Sequence, residues 1–195
     1  GPLLGQQVKN AFVKKGYRLE RPAETIRATV IGAGSRTVDV SGSTILVDDR
    51  MLPLKNIPVI KPFSEDFLLD EVLIAYDIKK SAEHFYKEDS VENFAVAIPG
   101  RKQFSFVDIT ILAGGILKGL EKIIKNELPI ILVAEQDCGK VLGQTLKAVN
   151  TKVSVICIDQ IEANEGDYID IGKSIAGGSV VPVIIKTLVF ETKQI

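Results

Sequence analysis

The sequence predicts an α/β fold, and two observations carry that prediction. From Asn93 onward, near-continuous apolar runs alternate with helical stripes. That alternation is the pattern of a mostly parallel sheet covered on both faces. Upstream, Thr25–Val47 holds three short β-branched runs, Ile26–Ile31, Thr37–Val40 and Ile45–Val47. Gly32-Ala33-Gly34-Ser35 and Ser41-Gly42-Ser43 separate them, so they read as consecutive antiparallel strands joined by tight turns. The 195 residues form one large domain, with room for a subdivision between 51 and 62.

The elements follow in order. Leu4, Val8, Ala11 and Phe12 make a short helical stripe, which Lys14-Lys15-Gly16 ends with positive charge and a C′ glycine. Asp48-Asp49-Arg50 reads as a charged turn, although two adjacent carboxylates also suit Mg²⁺ where substrate phosphates complete its shell. Val59-Ile60, between Pro58 and Pro62, is a brief strand at best. Ser64 is a natural N-cap for a helix running to about Tyr86, with Leu68, Val72, Ala75, Ile78 and Ala82 as its apolar face. His84, the sole histidine, lies near the end of that helix, where it favours the helix dipole when protonated.

Phe94–Ile98 reads as a strand and Phe106–Ile124 as a long helix. Gly114-Gly115 inside that helix suits close packing against a neighbour. Pro129–Ala134 is a strand, Gly139–Val149 a helix and Val153–Ile158 a strand. Asn164–Asp167 reads as a solvated loop. Val180–Val189 is a β-branched run, and Pro182 near its start suggests an edge or first-residue position.

Composition excludes several classes. Apolar residues make up 46% of the chain, which argues against disorder. The net charge is −1 and the charges are interspersed, so no nucleic-acid surface is expected. No apolar run approaches the length of a membrane span, so no membrane association is expected. The two cysteines, Cys138 and Cys157, fit buried thiols in a reducing cytosol, and two Cys with one His make zinc improbable.

Two places are candidate sites. The turn Gly32, Ala33, Gly34 and Ser35 offers glycines that permit positive φ and close approach, and backbone N–H groups able to cradle a phosphate. It is too short for a dinucleotide or P-loop fingerprint, and on spacing alone two ordinary hairpin turns are the plainer reading. The second candidate is the set of strand ends in the alternating half. Ligands of parallel sheets gather outside the carboxyl ends of the strands. Glu135-Gln136-Asp137-Cys138-Gly139-Lys140 places acid, amide and base at a helix N-terminus, and Asp159 ends the next strand. Glu135, Gln136, Asp137, Gly139, Lys140 and Asp159 are therefore candidate ligand or partner contacts. The plain alternative is Asp137 as N-cap, with Lys140 solvated. No catalytic residue is assigned.

Three stretches also carry a family resemblance. Arg21–Gly34 with Arg36–Ile45 (RPAETIRATVIGAG, RTVDVSGSTI), Ile131–Leu146 (ILVAEQDCGKVLGQTL) and Asp167–Phe190 (DYIDIGKSIAGGSVVPVIIKTLVF) resemble the ethanolamine ammonia-lyase reactivating factor family, EutA type, in the family's own order. The resemblance covers the C-terminal portion of that family. It implies an ATP-dependent, chaperone-like factor of the actin/Hsp70-like (ribonuclease-H-like) superfamily, acting in bacterial ethanolamine utilisation. Such a factor exchanges damaged cobalamin for adenosylcobalamin in the lyase, its partner. Implied with it are ATP and Mg²⁺ as cofactors and a cytoplasmic location that allows association with a microcompartment. Under the resemblance, Gly32, Ala33, Gly34 and Ser35 are the turn nearest a nucleotide. The chain is expected to be a C-terminal fragment, with Gly1-Pro2 native or a cleavage scar. The paired phosphate-binding Asp-Gly motifs are not found in it, so it is expected to hold no nucleotide tightly and to hydrolyse none alone. Two other readings stand beside this one. One is a Rossmann-like small-molecule enzyme working at the parallel strand ends through Glu135, Asp137 and Asp159. The other is a purely structural module that holds the lyase.

Overall fold

The computed structural model describes residues 2–16, 35–41, 45–86, 90–101, 103–175 and 180–187. The chain divides into two compact units, Gly1–Ala33 and Gly34–Ile195. In the smaller unit, α1 spans Pro2–Lys14. Gly16 ends it with φ of 72°, and its N–H reaches the Val13 carbonyl, as expected of a C′ glycine. Leu4 and Val8 of the apolar stripe are exposed.

The larger unit is a mixed α/β fold built on a seven-stranded sheet with order β1-β7-β6-β2-β3-β4-β5. The strands are β1 (Ser35–Ser41), β2 (Leu54–Ile60), β3 (Ala95–Ile98), β4 (Ile130–Ala134), β5 (Val155–Ile158), β6 (Tyr168–Ile171) and β7 (Val181–Thr187). Four helices join the parallel strands: α2 (Glu71–Ser81), α3 (Phe106–Gly119), α4 (Glu121–Lys125) and α5 (Gly139–Val149). β2 to β5 are parallel neighbours, while β2–β6, β6–β7 and β7–β1 are antiparallel. The sheet is therefore half parallel and half antiparallel.

The parallel strands stand in chain order, and right-handed crossovers between strands in that order put every helix on one face. One apolar core accordingly joins Ile74 and Ile78 of α2, Leu112 and Ile116 of α3 and Leu142 of α5 to Val96, Leu132 and Cys157 of the sheet. The sheet is covered on both faces, as expected, but the helices supply only one of the two covers. A second core fills the other face, where Ala97, Val133 and Ile158 meet Ile169, Ile171, Val183 and Ile185 of the antiparallel half. The sheet curls to bring them together. Leu46 bridges Cys157 on the outer side of β5, five residues after Ser41 of β1. Five residues reach about 18 Å at most, whereas a flat seven-stranded sheet would separate β1 from β5 by about 29 Å. The strand order within the parallel half never reverses, so the crevice of a Rossmann-like switch point does not form there.

The upstream hairpin reading needs correction. Ile26–Ile31 and Gly32–Gly34 lie outside the described residues. β1 covers the Thr37–Val40 run but pairs with β7, Val40 standing opposite Pro182, and not with Ile45–Val47. Ile45–Val47 crosses to the other edge of the sheet instead, with Ile45 in the inner core and Leu46 packed against the helical core. β7 is thereby an interior strand, and Pro182 sits at its second position, where its own carbonyl accepts the Gly172 N–H at 2.8 Å.

α2 starts later than expected. Ser64 caps nothing; its carbonyl closes a tight turn with the Phe67 N–H. That turn stacks the buried rings of Phe63 and Phe67 at 4.8 Å. Asp70 is the N-cap, accepting from Val72 and Leu73. Ala75, Ile78 and Ala82 of the expected stripe are buried, joined by Ile74, while Val72 is 70% exposed and Leu68, ahead of the helix, is 69% exposed. The buried face is set by α3. A Cβ on Gly115 would lie 2.5 Å from Ile74 Cγ2, and one on Gly119 would lie 2.8 Å from Ile78 Cβ. Only glycine lets the two helices approach this closely, as Gly114-Gly115 suggested. The single long helix expected over Phe106–Ile124 breaks at Leu120, where α3 gives way to α4.

Candidate functional site

The carboxyl ends of the parallel strands do converge. Lys61 follows β2, Gly100 follows β3, Glu135 follows β4 and Asp159 follows β5. The structure joins them into a clasp. Glu135 Oε1 accepts from Lys61 Nζ at 2.9 Å, and its Oε2 accepts from the Gly100 N–H at 2.8 Å. Burial pushes the Glu135 carboxyl up, but the Gly100 N–H and the Lys61 ammonium outweigh it and leave the group below its ordinary value.

The chain between β5 and β6 runs across these ends. The Ile161 N–H meets the Ala134 carbonyl, and the Gly166 N–H meets the Val59 carbonyl. Lys61 is held from this segment as well: its N–H donates to Glu165 Oε2 and its Nζ lies 3.4 Å from Asn164 Oδ1. Asn164–Asp167 is therefore not merely a solvated loop. Asp167 is buried, its Oδ2 accepting the Asn164 N–H at 2.9 Å.

The expected Asp137 cap is replaced by one from a different strand. Cys138 occupies the N-cap position of α5 and its side chain makes no capping bond. The Cys138 N–H instead meets the Gln136 carbonyl, a tight turn that leaves Asp137 exposed. Asp159, fully buried, accepts the Gly139 N–H at 2.9 Å through Oδ2. Gly139 is needed for this contact, because a Cβ there would lie 3.0 Å from that same oxygen. Sequence reading placed Asp159 at the strand end but could not pair it with a helix beginning 20 residues earlier.

Of the residues singled out, Glu135 and Asp159 are tied into the protein, Gln136 and Asp137 line a cleft of about 550 Å³ beside Gln103, Phe104 and Cys138, and Lys140 is exposed. Among the described residues, Glu135 and Asp159 are not in the lining of the cleft that Asp137 enters. The N-terminal N–H of α5 is already taken by Asp159, and α3 carries a complete capping box between Ser105 and Asp108. Burial, with Asp159 and Asp137 nearby, pushes the Cys138 thiol up to about 12, the opposite of an activated nucleophile. Asp48, half of the acidic pair weighed for Mg²⁺, is chelated by Arg50, whose side-chain bonds bring its carboxyl to about 2. Among the described residues, no group of three or more His, Cys, Asp or Glu side chains is placed to hold a metal. Ser35 is the first residue of β1, opposite Thr187; Gly32, Ala33 and Gly34 lie outside the described residues.

Two outcomes follow from this geometry. Asp159→Ala strips a buried helix N–H of its acceptor and should lower unfolding stability by about 1–3 kcal/mol, whereas Asp137→Asn should stay within about 0.5 kcal/mol of the parent. Chemical denaturation of the two variants checks this, and equal losses would return the cap to Asp137. For Glu135 the folded-state value is lowered, so its contribution is complete above the ordinary 4.5 and is lost as pH falls through the lower folded value. Glu135→Gln should therefore cost about 1 kcal/mol at neutral pH, and its stability should converge on that of the parent in acid. A gap independent of pH would show that the carboxylate is not held charged by Lys61 and Gly100.

Comparison with known proteins agrees with the family resemblance. A family model described as "Ethanolamine utilisation protein EutA" matches residues 1–191. Two curated relatives, each named "Ethanolamine ammonia-lyase reactivase EutA", come from Salmonella typhimurium and Escherichia coli. Each is 34% identical over 195 residues, a match covering 98% of this chain and 40% of the relative. The chain thus spans about two-fifths of the length of these relatives. No solved structure matches it. With the resemblance and the family match covering the same residues, the chain belongs to the EutA family of ethanolamine utilisation proteins.

Proposed function

We propose that this chain serves, as part of a reactivating factor, to restore ethanolamine ammonia-lyase that has been inactivated with a damaged cobalamin. The observation that carries the proposal is the 34% identity over 98% of the chain to proteins named as reactivases of that lyase. In this reading the lyase is the partner, the exchange of damaged cobalamin for adenosylcobalamin is driven by ATP with Mg²⁺, and the whole protein is of the actin-like kind. It works in the bacterial cytoplasm, beside the microcompartment that houses the pathway.

Within that scheme the described residues bind and position. Their strand-end carboxylates are spent on Lys61, Gly100 and Gly139, with Asp159 on the first N–H of α5 and Ser105 on the Asp108 N–H of α3. Phosphoryl transfer relies on metal clamps and positioned charge, which this clasp does not offer. Any nucleotide contact from this chain falls to Gly32, Ala33, Gly34 and Ser35. Among the described residues no helix is long and apolar enough to cross a membrane.

The test is recovery of lyase activity. The intact protein, given ATP, Mg²⁺ and adenosylcobalamin, should restore turnover to cobalamin-inactivated lyase, and omission of ATP should abolish recovery. Gly34→Val, which fills the approach to the glycine turn, should impair recovery while the melting temperature holds. No recovery by the intact protein under any nucleotide condition would contradict the proposal.

A further inference from the structure

The outer surface of the helical layer carries a trough that the fold does not use. Because Gly115 and Gly119 bring α2 against α3, the apolar residues of α2 that miss the core are turned outward, Val72 at 70% and Tyr76 at 60% exposure. They stand one turn apart on the same edge of the helix. Two hollows of about 560 and 500 Å³ share Tyr76, Lys79 and Glu121 and so form one continuous groove. Leu117 lies on its floor at one end. At the other is Tyr86, whose hydroxyl is buried with no hydrogen-bond partner among the described residues and whose ring lies 4.6 Å from Lys122 Nζ.

The rim is cationic. Lys79, Lys80, Lys118 and Lys122 line the groove against two carboxylates, Glu83 and Glu121. Lys118 is paired with Glu71, and Glu121 with Lys125 at 2.7 Å. Among the described residues Lys79 and Lys80 form no ion pair, and both are exposed. From Val72 the groove follows α2 to its end at Ser81, about 14 Å, and continues to Glu83 in the turn beyond.

We propose that this groove is a docking site for an acidic amphipathic helix of a partner protein. Its apolar residues, at i, i+3, i+4 and i+7, would lie over Val72, Tyr76 and Leu117. Its carboxylates would meet Lys79 and Lys80. The choice follows from the lining: an apolar floor between two helices takes a third helix by its apolar face, and an excess of lysine selects a negative flank. A basic segment, an anionic vesicle and a second copy of the chain are the competing occupants. The inference stands independently of the reactivase reading, because it concerns the chemistry of the occupant and not the reaction it serves.

The probe is a fluorescein-labelled synthetic helix of about four turns, with leucines at the stated spacing and glutamates elsewhere, followed by anisotropy with the intact protein. It should bind saturably and weaken as salt rises. Lys79→Glu with Lys80→Glu should weaken it about tenfold, as should Tyr76→Ala, and the same composition with scrambled spacing should bind at least about tenfold less tightly. All three positions are exposed, so the variants should fold, and unchanged melting temperatures check that. Undiminished binding in both variants overturns the proposal, as does equal binding of the peptide with lysine in place of glutamate. So would vesicle binding that the charge reversal abolishes while the peptide fails to bind, or a dimer of the parent protein that the charge reversal dissociates.

Discussion

The curl of the sheet is the constraint on which the rest depends. Four parallel strands with apolar side chains on both faces need cover on both faces. Crossovers taken in chain order supply helices to one face only. The remaining face, Ala97, Val133 and Ile158 among it, is buried because β6 and β7 bend round to oppose it with Ile169, Ile171, Val183 and Ile185. The five-residue span from Ser41 to Leu46 marks how far the bend goes. The protein thus provides its second layer from its own sheet and needs no second set of helices.

That solution determines what the strand ends do. To reach its place beside β2, β6 must be entered from β5 by a segment crossing the ends of the parallel strands. The crossing segment occupies the ground where ligands of open parallel sheets usually bind. Lys61, Gly100, Glu135, Asn164 and Glu165 tie it down, and Asp159 locks α5 to β5. A chemically suggestive set of carboxylates is thereby turned to holding the layers in register. The outside of the helices keeps the exposed Val72 and Tyr76, where Gly115 and Gly119 set the spacing of α2 and α3.

The alternating half was legible in the sequence because its signals are local. β3, β4, β5 and α5 fall within two residues of where apolar runs and caps put them. What escaped depends on partners far away in the chain. β6, with only Ile169 and Ile171 buried, is too short to announce itself, and β2 was hidden by Pro58 and by Asn56 at φ of 55°. Asn56 is held there by Asp170, whose Oδ1 accepts its N–H at 2.7 Å, and by buried Lys186, whose Nζ reaches Asn56 Oδ1 at 2.8 Å, contacts no window of sequence reveals. The buried face of α2 was ambiguous because Ala75, Ile78 and Ala82 fit two stripes, and only the seat of Ile74 on Gly115 decides between them. At the candidate site the strand ends were found and their use was not: Asp137 and Asp159 are equally good caps by residue type, and topology chooses the second.

The curl is open to direct measurement. Spin labels placed at Asp39 on β1 and at Ser154, beside β5, report the separation of the two edges by pulsed electron resonance. The native cysteines are both buried and should not compete for label. A flat sheet of seven strands would hold the labels about 29 Å apart or more. The curled sheet predicts a single population well below that distance. A peak at or beyond it would mean that the edges do not approach, that the second face of the parallel strands is covered by something else, and that the account of the strand ends built on that closure is wrong.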